Sequence, residues 1–491
     1  MTRKILETPA WQVAEKIARQ EVSSEEYTAA TLERIGKIEP KIHAYITVLS
    51  ETTLEKARAI DKQLKRGSKL GKIAGLPIAI KDNICVKGVR ATCGSRMLDN
   101  FVAPYNATVI EKILSENGLI IGKTNLDEFA MGSSTEHSFY GPTKNPWDIS
   151  KVPGGSSGGS AASVSAIEAS LSLGSDTGGS IRSPAGFCSV VGLKPTYGSV
   201  SRYGLISYAN SLDQIGPLAR DVRSCALLMD CISGHDDKDS TSSKSYAQNL
   251  VENLSKPMSG LKIAVPKEFF DEGVHDAVSK TVWSAIHNLE KLGVEYVEIS
   301  IPTLKYALAA YYIVAMSEAS SNLARYDGLR YGYRAPDGSL DWISAFSKNR
   351  HNGFGSEVRR RIMLGTYALS AGYFDQYYLK AQKIRTLLKR EFESAFKKYH
   401  VLIAPSMPIL PFKLGEKIND PLSLYMSDID TVPANLTGIP AISIPGGLHK
   451  GLPIGVQVMA PPFREDLLLK VGSMIESNVK IDLTLGEFTH V

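Results

Sequence analysis

The chain has 491 residues, and its 56 lysines and arginines against 51 aspartates and glutamates give a net charge of +5. This excess is small and no lysine-rich run is present, so the composition argues against strong nucleic-acid binding by this chain alone. The five cysteines contain no C-x-x-C pair, which favours reduced thiols. Neither a signal peptide nor a membrane-spanning apolar run is recognisable, so we predict a cytoplasmic protein that is not associated with a membrane.

The first 70 residues are predicted to be mostly helical. Thr8 and Pro9 fit an N-cap followed by the first residue of a helix, and Ser23 with Glu26 fits a capping box that begins a second helix. We therefore expect an N-terminal helical region over residues 1–70.

Beyond residue 70 the sequence alternates between short apolar runs and amphipathic patterns. Strands are predicted at 76–80, 119–121, 261–265, 294–301, 401–404, 441–444 and 454–459, and helices at 108–117, 275–292 and 373–399. Strand–helix–strand order is typical of α/β proteins. The polar segment 233–259 is predicted to be an exposed connection that divides two structural halves. We expect residues 71–491 to form one α/β domain, which packs with the N-terminal helices into one compact unit.

Two clusters of glycine and serine stand out in the middle of the chain. They read Gly154-Gly155-Ser156-Ser157-Gly158-Gly159-Ser160 and Asp176-Thr177-Gly178-Gly179-Ser180-Ile181-Arg182. Glycine can adopt positive φ, so successive backbone N–H groups can converge on one point, which suits an oxyanion. A flexible linker has no use for the aspartate, threonine and arginine that frame the second cluster. The two clusters therefore favour catalysis.

These clusters belong to a wider set of motifs that resembles the amidase signature family of serine hydrolases. The other motifs are Ile80-Lys81-Asp82-Asn83, Gly192-Leu193-Lys194-Pro195-Thr196 and Ser211-Leu212-Asp213-Gln214-Ile215-Gly216-Pro217. The resemblance reaches nearly from end to end, and it departs at Ser183, where glutamine is expected in many relatives. It implies the fold of that family, a large mixed sheet covered by helices on both faces.

The same resemblance implies a catalytic triad of Ser180 as nucleophile, Ser156 as a bridging hydroxyl in a cis peptide, and Lys81 as base. Lysine in water is protonated and cannot act as a base, but burial disfavours its charged form. Lys81 follows an apolar strand, where a buried position is available. Without the glycine clusters, a solvated strand end would be the better interpretation of Lys81, and Ser180 could also cap the helix that begins at Ile181. The implied oxyanion hole consists of the backbone N–H groups of Thr177, Gly178, Gly179 and Ser180, and no metal is implied.

Within the family, the runs 317–325 and 364–370 resemble the A subunits of tRNA-dependent amidotransferases. That branch implies glutamine as substrate, bound by Arg360 and Asp428 with Tyr311 nearby. Arginine binds a carboxylate through two parallel hydrogen bonds, and an aspartate can bind the ammonium group. Because Arg360 has arginine neighbours, the assignment is open by one residue, and a surface salt bridge is an alternative role for it.

The resemblance also implies partners. Such a subunit releases ammonia from glutamine, and the B and C subunits complete a heterotrimer that converts Glu-tRNA(Gln) to Gln-tRNA(Gln), with Asp-tRNA(Asn) left open as a second substrate. ATP and Mg²⁺ are expected on a partner subunit, the misacylated tRNA is expected mainly on the B subunit, and this chain is expected to need no cofactor of its own.

Three other functions are weighed against this one. The first cluster formally matches the G-x-S-x-G elbow of α/β-hydrolases, but the elbow needs a preceding strand, whereas residues 145–153 contain two prolines. His400 or His449 would have to complete that triad. A phosphate-binding module is a second alternative, but the sequence has no Gly-Lys-Ser/Thr ending of the kind that a P-loop needs. A free-standing amidase for small amides shares the same catalytic residues and stays open.

Overall fold

The computed structural model describes residues 2–244, 249–256, 258, 260–271, 273–336 and 341–479. The strands in this part of the chain are β1 Tyr45–Val48, β2 Pro77–Lys81, β3 Leu119–Thr124, β4 Leu171–Asp176, β5 Val191–Lys194, β6 Gln214–Ala219, β7 Lys262–Pro266, β8 Glu295–Ile299, β9 Val401–Pro405, β10 Ala441–His449 and β11 Leu452–Met459. They form one sheet in the order β1-β3-β2-β4-β6-β5-β10-β11-β9-β7-β8. Strands β2, β3 and β4 pair in parallel, as do β7, β8 and β9, and the other pairs are antiparallel.

Helices surround this sheet. In the described residues the α-helices are α1 Thr2–Glu7, α2 Ala10–Ala18, α3 Ser24–Ile42, α4 Ser50–Lys65, α5 Thr108–Ser115, α6 Gly158–Ser165, α7 Arg182–Cys188, α8 Val222–Ile232, α9 Leu250–Leu254, α10 Asp276–Lys291, α11 Ala307–Asn322, α12 Trp342–Gly353, α13 Ser356–Ala368, α14 Lys380–Phe396, α15 Pro421–Met426, α16 Val432–Thr437 and α17 Glu465–Asn478. None of the helices described here is long and apolar enough to cross a membrane.

The sheet separates two large hydrophobic cores. Along β9, Val401 and Ile403 pack into the core that also holds buried residues of α10 and α17, whereas Leu402 and Ala404 pack into the core formed with α11 and α14. Successive side chains of a strand point to opposite faces, so this alternation means that helices cover both faces. The predicted fold class, a large mixed sheet with helices on both faces, is therefore confirmed.

The N-terminal region is mostly helical, with two differences from the prediction. The capping box of Ser23 and Glu26 is present, but helix α2 begins at Ala10 with Pro9 at the N-cap position, one residue later than predicted. The region also contains strand β1, which pairs antiparallel with β3. The first 70 residues therefore contribute an edge strand to the sheet, while the domain boundary at residue 70 stays a prediction.

Two other predictions need correction in detail. The segment 233–259 contains helix α9, in which Leu250 is buried, so its described part is not wholly an exposed connection. It does lie between the strands up to β6 and those from β7 onward, but both sets belong to one sheet. The predicted helix at 373–399 begins with a π-helical turn, Asp375–Leu379, and α14 ends at Phe396. All five cysteines are buried free thiols.

Candidate active site

The candidate catalytic residues come from the ends of two neighbouring strands. Strand β2 ends at Lys81 and strand β4 ends at Asp176, and the two strands pair in parallel with Ile80 opposite Leu173. The ends of parallel neighbours reach the same edge of a sheet. Lys81 and the second glycine cluster therefore meet there, although they are far apart in the sequence.

Serine oxygens surround the Lys81 amine. The side chain is fully buried, and its Nζ lies 2.8 Å from Ser156 Oγ and 2.8 Å from Ser157 Oγ. Ser175 adds two contacts, at 3.0 Å through Oγ and 3.2 Å through its carbonyl oxygen. The structure thus brings Lys81 and Ser156 together as expected. Ser157 and Ser175 were not among the predicted site residues, although both lie in or beside the glycine clusters.

Burial changes the acid–base behaviour of Lys81. It lowers the pKa of the amine to about 7, because the ammonium form loses its hydration, and this outweighs the opposite effect of Asp127, Asp176 and Asp213. A group with this pKa is uncharged in about half of the molecules at neutral pH, which is the range suited to a general base. Lys81 can therefore take a proton from the serine hydroxyl that it contacts.

The two serines expected to react lie in adjoining loops. The peptide bond between Gly155 and Ser156 is cis, as the resemblance implies. The Ser157 N–H donates to the carbonyl oxygen of Ser180 at 3.1 Å, which joins the two clusters. Ser180 is 7% exposed, and the N-cap position of α7 is Ile181. The alternative role of Ser180 as the cap of this helix is therefore not observed.

The predicted oxyanion hole differs from the structure at Gly179. Its N–H donates to Asp176 Oδ1 at 2.8 Å, and its φ of +138° is a conformation that glycine adopts readily. Because the carboxylate already holds this N–H, Gly179 is not available as a donor. For Thr177, Gly178 and Ser180 the role of donor stays a prediction.

Side chains from the C-terminal half pack tightly against this loop. Thr431 Oγ1 donates to the carbonyl oxygen of Gly178 at 2.6 Å. A Cβ atom added to Gly178 would overlap the ring and hydroxyl of Tyr311, and one added to Gly179 would overlap Thr431. Tyr311, which is buried, therefore lies against the loop that carries Ser180. There is no room for a side chain at either glycine.

A buried ion pair also holds the loop that carries Ser180. Arg182 Nη2 lies 3.0 Å from Asp176 Oδ1, and both side chains are fully buried. Burial alone would raise the pKa of Asp176, but Arg182 lowers it to about 2. Arg182 Nε donates to Asp176 Oδ2 at 3.1 Å, and the other donors reach the Thr431 carbonyl oxygen at 2.8 Å and Gln457 Oε1 and Asn435 Oδ1 at 2.6 Å each. With its hydrogen bonds satisfied, the pair holds Asp176 in place to bind the Gly179 N–H.

Asp428 and Tyr311 lie close to the nucleophile loop, as the glutamine assignment requires. Asp428 Oδ2 accepts hydrogen bonds from Tyr312 Oη at 2.7 Å and Ser133 Oγ at 2.8 Å. Burial raises the pKa of Asp428 to about 6, although Tyr312 and Ser133 oppose the shift. The carboxylate is therefore mostly ionised at neutral pH, which suits binding of an ammonium group. Tyr312 and Ser133 were not recognisable from the sequence, because they lie far from Asp428 along the chain.

The structure separates the roles of Arg360 and Arg361. Arg361 is buried, with its Nε 2.7 Å from Glu357 Oε1 and its Nη1 2.8 Å from Tyr208 Oη. Arg360 contacts the other oxygen of Glu357, and its side chain is 40% exposed. Arg361 is thus held by buried protein partners, whereas Arg360 forms a partly exposed salt bridge with Glu357, and its role in glutamine binding stays a prediction. Glu357 connects the two arginines.

Neither histidine proposed for an α/β-hydrolase triad takes part in this arrangement. His400 Nδ1 accepts the Lys262 N–H at 3.0 Å, and the His449 ring lies 5.8 Å from the ring of His275. No strand of the described residues immediately precedes Ser156. The elbow interpretation therefore lacks both the strand and the base that it needs.

Comparisons with known proteins show which family the chain is similar to. The family model described as Amidase matches residues 26–469. The A subunit of the glutamyl-tRNA(Gln) amidotransferase of Methanosarcina barkeri is 58% identical over 95% of this chain and 96% of its own length. The corresponding A subunit of Carboxydothermus hydrogenoformans is 54% identical over 96% of this chain and 97% of its own. The crystal structure of the Thermotoga maritima A subunit superposes with a TM-score of 0.79 at 42% identity, over 97% of this chain and 95% of that one. The chain therefore belongs to the amidase signature family.

Proposed function

We propose that this chain is the glutamine-hydrolysing subunit of a tRNA-dependent amidotransferase. The observation that carries the proposal is the 58% identity, over 95% of the chain, to the A subunit of a glutamyl-tRNA(Gln) amidotransferase. A buried lysine 2.8 Å from a serine hydroxyl supplies the chemistry that such a subunit needs. On this proposal the chain belongs to an enzyme that forms carbon–nitrogen bonds with glutamine as the amide donor.

The reaction begins with proton transfer to the uncharged amine of Lys81. Ser156 gives its proton to Lys81 and takes one from Ser180, whose oxygen attacks the side-chain amide carbon of glutamine. The N–H groups of Thr177, Gly178 and Ser180 stabilise the negative oxygen that forms. The protons then return along the same hydroxyls to the departing nitrogen, which leaves as ammonia. Water repeats the attack on the acyl-enzyme and releases glutamate.

Glutamine is positioned by charges at the end of the molecule that does not react. The Asp428 carboxylate binds the α-ammonium group, and Arg360 swings from Glu357 to bind the α-carboxylate through its planar guanidinium. Tyr311 closes the pocket beside Gly178. Positioning of this kind places the amide carbon against Ser180 and contributes to the rate by orientation.

The remaining steps fall to partner subunits. The B subunit activates Glu-tRNA(Gln) with ATP and Mg²⁺, and ammonia from this chain converts the activated group to Gln-tRNA(Gln). The A subunit itself binds little of the tRNA, in line with its net charge of only +5. A small C subunit completes the heterotrimer, which acts in the cytoplasm where charged tRNA is used. Whether Asp-tRNA(Asn) is a second substrate depends on the B subunit.

Co-expression of the tagged chain with its native partners tests this proposal. We expect two further subunits to co-purify, and the complex to form Gln-tRNA(Gln) from Glu-tRNA(Gln), glutamine and ATP. In the complex with Ser180→Ala, glutamine-dependent conversion should be lost, while conversion with added ammonia and the unfolding temperature of the chain should be retained. Rapid hydrolysis of varied amides by the lone chain, without any partner, would instead favour a free-standing amidase.

A further inference from the structure

A cavity of about 440 Å³ opens on the surface near the segment that carries Asp428. Its wall is mostly apolar and includes Phe269, Leu304 and Ile409. Asp430 also lines it, although its side chain is only 2% exposed. A buried carboxyl group in the wall of a mostly apolar cavity is unusual, because apolar surroundings do not stabilise its charge.

Asp430 lacks the partners that a buried carboxyl group needs. Among the described residues, its Oδ2 has no hydrogen-bond partner. Burial raises the pKa of Asp430 well above its usual range, and no neighbouring charge opposes that effect. Asp428, two residues earlier, accepts two hydrogen bonds. Unlike Asp428, Asp430 therefore has an oxygen for which the described residues supply no donor.

The lysines that line the same cavity are engaged elsewhere. Lys417 Nζ donates to Ser423 Oγ at 3.1 Å and lies 5.2 Å from the centre of the Phe412 ring. Lys305 Nζ lies 5.0 Å from the centre of the Tyr306 ring. Neither forms an ion pair with Asp430 in the described residues. The part of the chain that the structure describes therefore does not supply a cation for Asp430.

The surroundings of the cavity are those of a protein interface. Met426, which lines the cavity, is 46% exposed, and Leu422 in the same helix and Ile418 in the preceding turn are 70% and 37% exposed. Exposed apolar side chains around a concave site are typical of contacts with another protein. A site for a small metabolite would need no exposed apolar residues around its opening.

We propose that this cavity is a socket for a lysine or arginine side chain of a partner chain of the amidotransferase. The apolar wall packs against the aliphatic part of the inserted side chain, and its terminal cation pairs with Asp430. The proposal rests on the proposed function, since it needs a partner subunit. It names the partner by its chemistry, a basic side chain flanked by apolar residues that cover the exposed rim.

The socket adjoins the candidate active site. The carbonyl oxygen of Asp430 accepts the Gln457 Nε2 hydrogen bond at 2.9 Å, and Gln457 Oε1 binds Arg182 at 2.6 Å. The next residue, Thr431, binds the carbonyl oxygen of Gly178. An inserted cation would thus be attached to the segment that supports the Ser180 loop. The partner and the active site would be anchored on the same few residues.

The test compares Asp430→Asn with Asp271→Asn, a matched change at an exposed aspartate on the same cavity. Each variant is measured alone by thermal unfolding, and with its native partner subunits by a binding titration. We expect Asp430→Asn to weaken partner binding at least about 30-fold, because the inserted cation loses its charged partner. The lone Asp430→Asn chain should unfold at the same or a higher temperature, since an unpaired buried carboxyl is removed. Asp271→Asn should change partner binding less than about threefold, as is usual for a charge at an interface rim.

Other outcomes would overturn the socket. Wild-type chain that binds its partners, with Asp430→Asn binding equally well, would remove Asp430 from the interface while leaving the proposed function intact. A lower unfolding temperature of lone Asp430→Asn with unchanged partner binding would assign Asp430 a structural role. Stabilisation of the lone wild-type chain by n-butylammonium, absent in Asp430→Asn and without an effect on partner binding, would assign the cavity to a small amine. If wild-type chain binds no partner, the proposed function fails along with the socket.

Discussion

Lowering the pH from about 8 to about 6 should reduce glutamine hydrolysis about tenfold, because Lys81 must be uncharged to act as a base. With a pKa of about 7, its neutral fraction falls from about 0.9 to about 0.1 over this range. The sign follows from the direction of the shift, since the active neutral form is present above the folded-state pKa and is lost as the pH falls through it. This tenfold loss comes from Lys81 alone; when glutamine binding is limiting, Asp428, with a pKa of about 6, should add a further factor of about two at pH 6 and a steeper decline below it.

The assay is the initial rate of glutamate release by the complete complex at low glutamine, which reports kcat/KM and hence the ionisation of the free enzyme. The profile should fall with a slope of one below about pH 7 and more steeply below about pH 6. Return of each sample to pH 8 should restore the full rate, which excludes acid unfolding as the cause. A profile that stays flat between pH 6 and 8, or one centred near 10, would refute the neutral-lysine argument.

Three further predictions concern residues around this centre. Arg360→Ala should raise the KM for glutamine about 10- to 100-fold and leave hydrolysis of a simple uncharged amide unchanged, because only glutamine offers a carboxylate. Equal losses of activity on both substrates would contradict carboxylate recognition. Gly179→Ala should lower kcat by about 100-fold or more, because the added Cβ overlaps Thr431 and displaces the donors of the oxyanion hole; unchanged steady-state kinetics would mean that the loop can relax. Arg182→Met should lower the free energy of unfolding by about 3–5 kcal/mol in a urea titration, because Asp176 would be left buried and unpaired; wild-type stability would show that the ion pair is dispensable.

Much of the fold could be predicted from local patterns. The strands at 401–404 and 454–459 are predictable because short, mostly apolar runs favour buried strands, and the structure has β9 and β11 there. Strand β1 was missed because Tyr45–Val48 has four half-buried residues directly after a long helix, so its pattern carries little signal. Its pairing with β3 is a tertiary effect that no local window contains.

The candidate site was predictable where its residues lie in motifs and not where they depend on distant contacts. Lys81, Ser156 and Ser180 lie in or beside recognisable runs, so resemblance could identify them. Ser133 and Tyr312 bind Asp428 across 295 and 116 residues of sequence, and nothing local marks either one. The engagement of the Gly179 N–H by Asp176 depends on the exact path of the loop, which a motif does not specify. The neighbouring arginines 359–361 differ only in the direction each side chain takes from helix α13.

The place of β10 and β11 in the sheet has a consequence for how the protein is made. The hairpin is encoded after residue 440, yet it connects β5 on one side with β9 on the other. While the ribosome is still translating earlier codons, β5 and β9 present open edges that can pair with the wrong chain. The sheet can close only when the last tenth of the polypeptide emerges, so a nascent chain that stalls shortly before it is a natural client for chaperones.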